Sequence, residues 1–122
     1  MTDAPSTRAT LDVSVAGGAL GVYLVVIAAG SSSLRALPLR GRLTVGRAPE
    51  CELRIDDEAA SRRHAAIVVD GGVVSVEDLG SHNGTLVNGA RITGPRALAT
   101  GDVVEVGKTL LALRGVARGG DS

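Results

Sequence analysis

Apolar residues recur along this chain in short alternating or continuous runs, and no stretch holds helical spacing over about ten residues. Leu53-Arg54-Ile55 alternates cleanly. Val22 to Ala29 is a continuous apolar block of strand length, rich in β-branched residues, as a buried strand requires. Further runs span Leu34–Leu39, Leu43–Val45, His64–Val69, Val73–Asp78, Thr85–Val87, Ala90–Ile92, Asp102–Val106 and Thr109–Arg114. Turn residues divide them. Asp70-Gly71-Gly72, Asn88-Gly89 and Gly107-Lys108 read as hairpin turns, and Gly94-Pro95 turns the chain. Arg40-Gly41-Arg42 reads as another hairpin, joining Leu34–Leu39 to Leu43–Val45. Ala48 to Cys51 reads as a turn, and Asp56 to Ala60 as an acidic loop with a solvated face.

The pattern predicts an all-β fold of about ten or eleven short strands, a sandwich of two mainly antiparallel sheets. Residues 21–114 form the expected domain. Residues 1–20 are small and polar and read as a flexible tail, and residues 115–122 as a tail or linker. Val13 to Leu34 carries no charge and is long enough to raise a membrane span. Gly17, Gly18, Gly21 and Gly30 interrupt it, and Ser31-Ser32-Ser33 closes it, so a buried strand is the preferred reading. No charged segment precedes a hydrophobic stretch and cleavage site, which disfavours a signal peptide.

Composition narrows the function. The 122 residues carry 13 basic and 13 acidic side chains, so no basic field draws the chain to nucleic acid. One Tyr, no Phe and no Trp leave no platform for stacking bases and demand an aliphatic core. Cys51 is the only cysteine, so no internal disulfide forms and no cysteine cluster holds zinc. That usage fits a reducing, cytoplasmic compartment. No metal site, cofactor loop or nucleophile–base pair is recognisable, so catalysis is not expected.

The densest polar signal is Gly80-Ser81-His82-Asn83-Gly84-Thr85-Leu86-Val87-Asn88-Gly89. Two Asn-Gly turns mount a polar loop on strands, which is how recognition loops are usually carried. Upstream, Gly46-Arg47 ends one run and Ser61-Arg62-Arg63-His64 opens another. Each motif alone is common. In this order and spacing they resemble the forkhead-associated (FHA) domain, over roughly Gly21 to Leu113. The resemblance implies two packed sheets with all binding loops at one end. It also implies binding of phosphothreonine peptides.

A phosphothreonine carries close to two negative charges and three strong acceptor oxygens. Arg47 offers a planar guanidinium fork and Ser61 a hydroxyl donor. Arg62 stands ready for phosphate or peptide backbone; Arg63 contacts ligand less consistently in the family. Asn83 has both an acceptor and donors, suited to reading peptide main chain. His82 stands where the family often has Thr; an imidazole can donate N–H to phosphate, or simply point to solvent. Loop support is expected from Gly46, His64, Gly84, Asn88 and Gly89.

The leading functional expectation is a phosphothreonine-dependent binding module in Ser/Thr kinase signalling. Its partner is a phosphorylated protein or peptide, or this chain's own tail phosphorylated at Thr7 or Thr10. The alternatives are the regulatory module of a larger protein, such as a transcription regulator, and a phosphate-independent β-sandwich scaffold. Neither nucleic acid nor membrane is an expected partner of this domain.

Overall fold

The computed structural model describes residues 21–115, which form eleven strands and no helix. The two expected tails lie outside the described residues, except Gly115. The strands are β1 (Val22–Ala28), β2 (Ser31–Ala36), β3 (Arg40–Gly46), β4 (Leu53–Arg54), β5 (Ala65–Asp70), β6 (Val73–Asp78), β7 (Thr85–Val87), β8 (Ala90–Arg91), β9 (Arg96–Leu98), β10 (Val103–Val106) and β11 (Thr109–Gly115). They build a six-stranded sheet in the order β2-β1-β11-β10-β7-β8 and a five-stranded sheet in the order β4-β3-β5-β6-β9. β3 with β4 is a parallel pair; the other described pairs are antiparallel.

The alternation of each strand decides its inner face. β1 sends Leu24 and Val26 inward, β3 Leu43 and Val45, β6 Val74 and Val76, β10 Val104 and Val106, β11 Leu111 and Leu113. Ile67 of β5 and Val87 of β7 are fully buried among them. The core is aliphatic throughout, as the near absence of aromatic residues required.

Two local expectations change, and one strand was not foreseen. Ser31-Ser32-Ser33 is the start of β2, folded back on β1 over Ala29-Gly30, and does not merely end an apolar run. Arg40-Gly41-Arg42 is part of β3 rather than a hairpin turn. β3 pairs with β5, so the chain changes sheets at Leu37–Leu39, where Pro38 cannot continue a ladder. The unforeseen strand, β9, follows Gly94-Pro95 as a short, largely exposed strand that lacks any alternating signal.

Register fixes the polarity of the domain. Val22 of β1 faces Gly115 of β11 at one pole, while Ile27 faces Leu110 toward the other. The second pole collects the end of β3, the turn before β5, the loop after β6 and the β10–β11 turn. All three motif-bearing loops therefore share one end, and the chain enters and leaves at the opposite end.

Candidate functional site

The loop between β4 and β5 lies against the end of β3. Arg47 N–H donates to Ser61 O at 3.1 Å, Ala48 N–H to Arg62 O at 3.0 Å, and His64 N–H to Val45 O at 2.8 Å. This approach explains Gly46, where an added Cβ would overlap the Arg62 carbonyl and lie 2.9 Å from that of Ser61. Cys51, which is buried, donates its thiol to Arg62 O at 3.2 Å. Burial pushes that thiol's pKa up.

The loop between β6 and β7 is built around Asp78. One carboxylate oxygen accepts the N–H groups of Gly80 and Ser81, at 2.9 and 3.0 Å. The other accepts the hydroxyls of Ser81 and Thr85. Ser81 Oγ in turn accepts Gly84 N–H at 2.9 Å. Ser81 is thus spent on the loop itself. Gly84, with φ of 86°, sits where a Cβ would press on the Arg91 guanidinium.

His64 joins the two loops. Its ring is fully buried, Nδ1 accepts Ser61 N–H at 2.9 Å, and Nε2 lies 2.8 Å from Gly84 O. Since Nδ1 must be the acceptor, the ring proton belongs on Nε2, which donates to Gly84. A residue that could have been a ligand group is fully occupied as a brace.

Three further bonds register the loops onto consecutive residues. Asn83 Nδ2 donates to Ala59 O at 2.9 Å, Arg47 Nε to Ala60 O at 2.7 Å, and His82 N–H to Ser61 Oγ at 2.9 Å. Each leaves further hydrogen-bonding groups unused. Arg47 keeps the N–H groups of both terminal nitrogens. Ser61, having accepted, still has its O–H to donate. Asn83 keeps its carbonyl oxygen. The structure thus brings Arg47, Ser61, His82 and Asn83 together through shared partners. Arg62 lies next to Ser61 with its side chain exposed, and so does Arg63. The His82 ring is exposed; it is the backbone of His82, not the imidazole, that engages Ser61.

Asn88 and Gly89 lie away from this rim. Asn88, with φ of 52°, bonds Val103 N–H through Oδ1 and Asp102 through Nδ2. They lock the β7–β8 turn to β10, supporting the sheet behind the loop.

Sequence reasoning missed several groups. Asp57 was expected on a solvated acidic face with Asp56 and Glu58. Those two are exposed, but Asp57 is a clamp. Its Oδ1 accepts Ala59 N–H, and its Oδ2 accepts Lys108 N–H at 2.7 Å and the buried Thr109 hydroxyl at 2.8 Å. Only tertiary structure reveals partners 51 and 52 residues away. Asp78 had a local signal: an Asp followed at two and three residues by Gly and Ser favours an Asx-type turn. Arg54 gave none. It donates Nε to Arg47 O at 3.0 Å, adding a second guanidinium beside Arg47.

For both carboxylates, burial opposes ionisation, but the donated hydrogen bonds outweigh it. Thr109, Lys108 and Ala59 hold Asp57 below the ordinary carboxylate range, as Ser81, Thr85 and Gly80 hold Asp78. Among the described residues no His, Cys, Asp and Glu side chains gather as a metal site, and no helix is long and apolar enough to cross a membrane.

Two antiparallel-rich sheets carrying a polar, phosphate-compatible loop rim at one pole define a β-sandwich binding module. The chain belongs to the FHA domain family, whose profile matches residues 43–107. It is 37% identical over 92 residues to the FHA domain-containing protein FhaB of Mycobacterium tuberculosis, covering 75% of this chain and 59% of that protein. The chain thus spans about three fifths of the length of that relative. The FHA domain of the Chlamydia trachomatis protein CT664 superposes with a TM-score of 0.75 at 32% identity, over 80% of this chain and 99% of that one. A second solved FHA domain, studied for phosphothreonine-dependent interactions, gives 0.73 at 35% identity, over 80% and 99% of the two chains.

Proposed function

We propose that this chain is a phosphothreonine-binding module in Ser/Thr kinase signalling and performs no catalysis itself. The observation that carries the reading is the registration of Asn83, Arg47 and His82 onto Ala59, Ala60 and Ser61. It holds a guanidinium, a hydroxyl and a carboxamide on one rim with their outward groups unspent. Arg47 and Ser61 grip the phosphate oxygens, Arg62 adds a mobile cation, and Asn83 accepts or donates to peptide main chain. Gly46, His64 and Gly84 keep the rim in shape. The phosphothreonine-dependent interactions of the 35%-identical FHA domain support the ligand class.

The test is calorimetric titration of the chain with one peptide in its phosphothreonine, phosphoserine and unphosphorylated forms. Binding is expected for the phosphothreonine form alone. Charge-assisted hydrogen bonds contribute roughly 1.5–3 kcal/mol each, so Arg47→Ala lowers affinity at least about tenfold. Equal binding of the unphosphorylated peptide, or a folded Arg47→Ala variant with unchanged affinity, refutes the reading.

A further inference from the structure

The outward face of the six-stranded sheet departs from the polar alternation of a solvated sheet. Since Leu24 and Val26 of β1 point into the core, Val25 and Ile27 point out. Their register partners on β11 are Ala112 and Leu110, and Val25 also faces Leu34 of β2. Ala112 is only 4% exposed yet stands outside the core cluster, between Leu111 and Leu113, which belong to it. Val103 of β10 faces it from the other side. Leu34 is 71% exposed. A continuous apolar surface therefore runs across β2, β1, β11 and β10. The five-stranded sheet is ordinary by comparison: its outer face carries the Arg42–Glu77 ion pair at 2.6 Å, Thr44 and Ser75.

We propose that this face is a self-association surface, and that its occupant is the same face of a second copy. Two charges point outward from these four strands. Glu105 of β10 faces Leu110 toward the loop pole, and Arg114 of β11 faces Tyr23 toward the opposite pole. Two copies stacked face to face with strands in opposite senses bring each Arg114 within one strand spacing of the other copy's Glu105. Such a two-fold contact is self-complementary, and the patch contains no other charge to repel its copy. With strands about 4.8 Å apart and two or three outward residues per strand, the patch covers roughly 350 Å². A stable complex uses about 800 Å² per partner, so the dimer is weak and concentration-dependent. Both loop poles stay open.

Sedimentation of the full 122-residue chain tests this. Mass should rise reversibly from monomer toward dimer as concentration is raised, and stay mostly monomeric when dilute, as expected of a contact below the standard size. Ile27→Glu should weaken association at least about tenfold, as should Glu105→Arg or Arg114→Glu alone, through buried or like charge. The double swap Glu105→Arg with Arg114→Glu should restore it. A chain that stays monomeric to the highest concentration overturns the proposal. If Ile27→Glu in such a chain increases hydrogen exchange within residues 1–20, that segment covers the face instead. Association that survives Ile27→Glu unchanged, or a double swap no better than its parts, equally overturns it.

Discussion

The two loops that meet at the candidate site are held in opposite ways. The β6–β7 loop has a near anchor: Asp78 binds Gly80, Ser81 and Thr85, all within seven residues of it. The β4–β5 loop borrows nearly everything. Its clamp joins Asp57 to Lys108 and Thr109 in the other sheet, its flank leans on Gly46 and Arg47, and its end is braced through His64 to Gly84. Because β6 and β7 lie in different sheets, even this near anchor bridges the sandwich, from Asp78 of β6 to Thr85 of β7. Both loops therefore keep their shape only while the two sheets are docked. What differs is the reach of the anchor: within seven residues for the Asn83 loop, about fifty for the Ser61 loop.

The largest effect expected is at Gly46. Gly46→Ala forces its Cβ against the Arg62 and Ser61 carbonyls, which are backbone and cannot swing aside. A loss on the order of 3 kcal/mol is expected, from strain and broken loop bonds. Denaturant unfolding measures it, and amide exchange should rise more at residues 59–63 than at 80–84. Equal disturbance of both loops would break the contrast.

A pair of smaller changes tests the contrast directly. Asp78→Ala and Asp57→Ala each remove acceptors of several hydrogen bonds, costing roughly 1–3 kcal/mol. Asp78→Ala should raise amide exchange chiefly at Gly80 to Gly84. Asp57→Ala should raise it at Ala59 to Ser61 and also at Gly107 to Thr109. The same pair predicts an acid response. Both carboxylates are held below their unfolded pKa of about 4. The stability they contribute is fully present above that value and is lost as pH falls through the folded-state values. The wild-type melting temperature should fall below about pH 4, and each Ala variant should show a shallower fall there. Parallel wild-type and variant curves would show that neither carboxylate carries the acid response.

The smallest effect is at His82, whose backbone is committed but whose ring is exposed. His82→Thr should leave melting unchanged. Phosphothreonine-peptide affinity, followed from about pH 5.5 to 8, around the usual imidazole pKa, should shift by no more than a few fold. Variant and wild-type profiles that diverge as pH falls would assign the imidazole to the phosphate; parallel profiles would assign it to solvent.

What could be read from the chain follows the same division between local and distant. Alternation marked most strands, because each depends on its own residues. Asn88-Gly89 marked a tight turn, and the spacing of Gly46-Arg47, Ser61, His64 and Asn83-Gly84 marked the rim. Pairing was harder. Arg40-Gly41-Arg42 looked like a hairpin because Gly between two Arg is good turn chemistry, while the true sheet change is decided by which partner β3 finds. Asp57 looked like one of three solvated acids because its partners lie about fifty residues downstream. Ser31-Ser32-Ser33 looked like a terminator because an edge strand with an exposed face needs no apolar residue of its own.

The facing of Val22 and Gly115 at the pole remote from the loops has a mechanical consequence. Tension applied through the two ends of the domain pulls apart neighbouring antiparallel strands at their shared end. Their hydrogen bonds lie across the strands, along the pull, and so open one after another like a zipper instead of failing together in shear. The domain yields to small forces, and it yields from the far end first. Leu24 leaves the core before Val26, and the last register pair to open is Ile27 with Leu110, beside the Thr109 that holds Asp57. Under load, the rim of the candidate site is the last part of the sandwich to be reached.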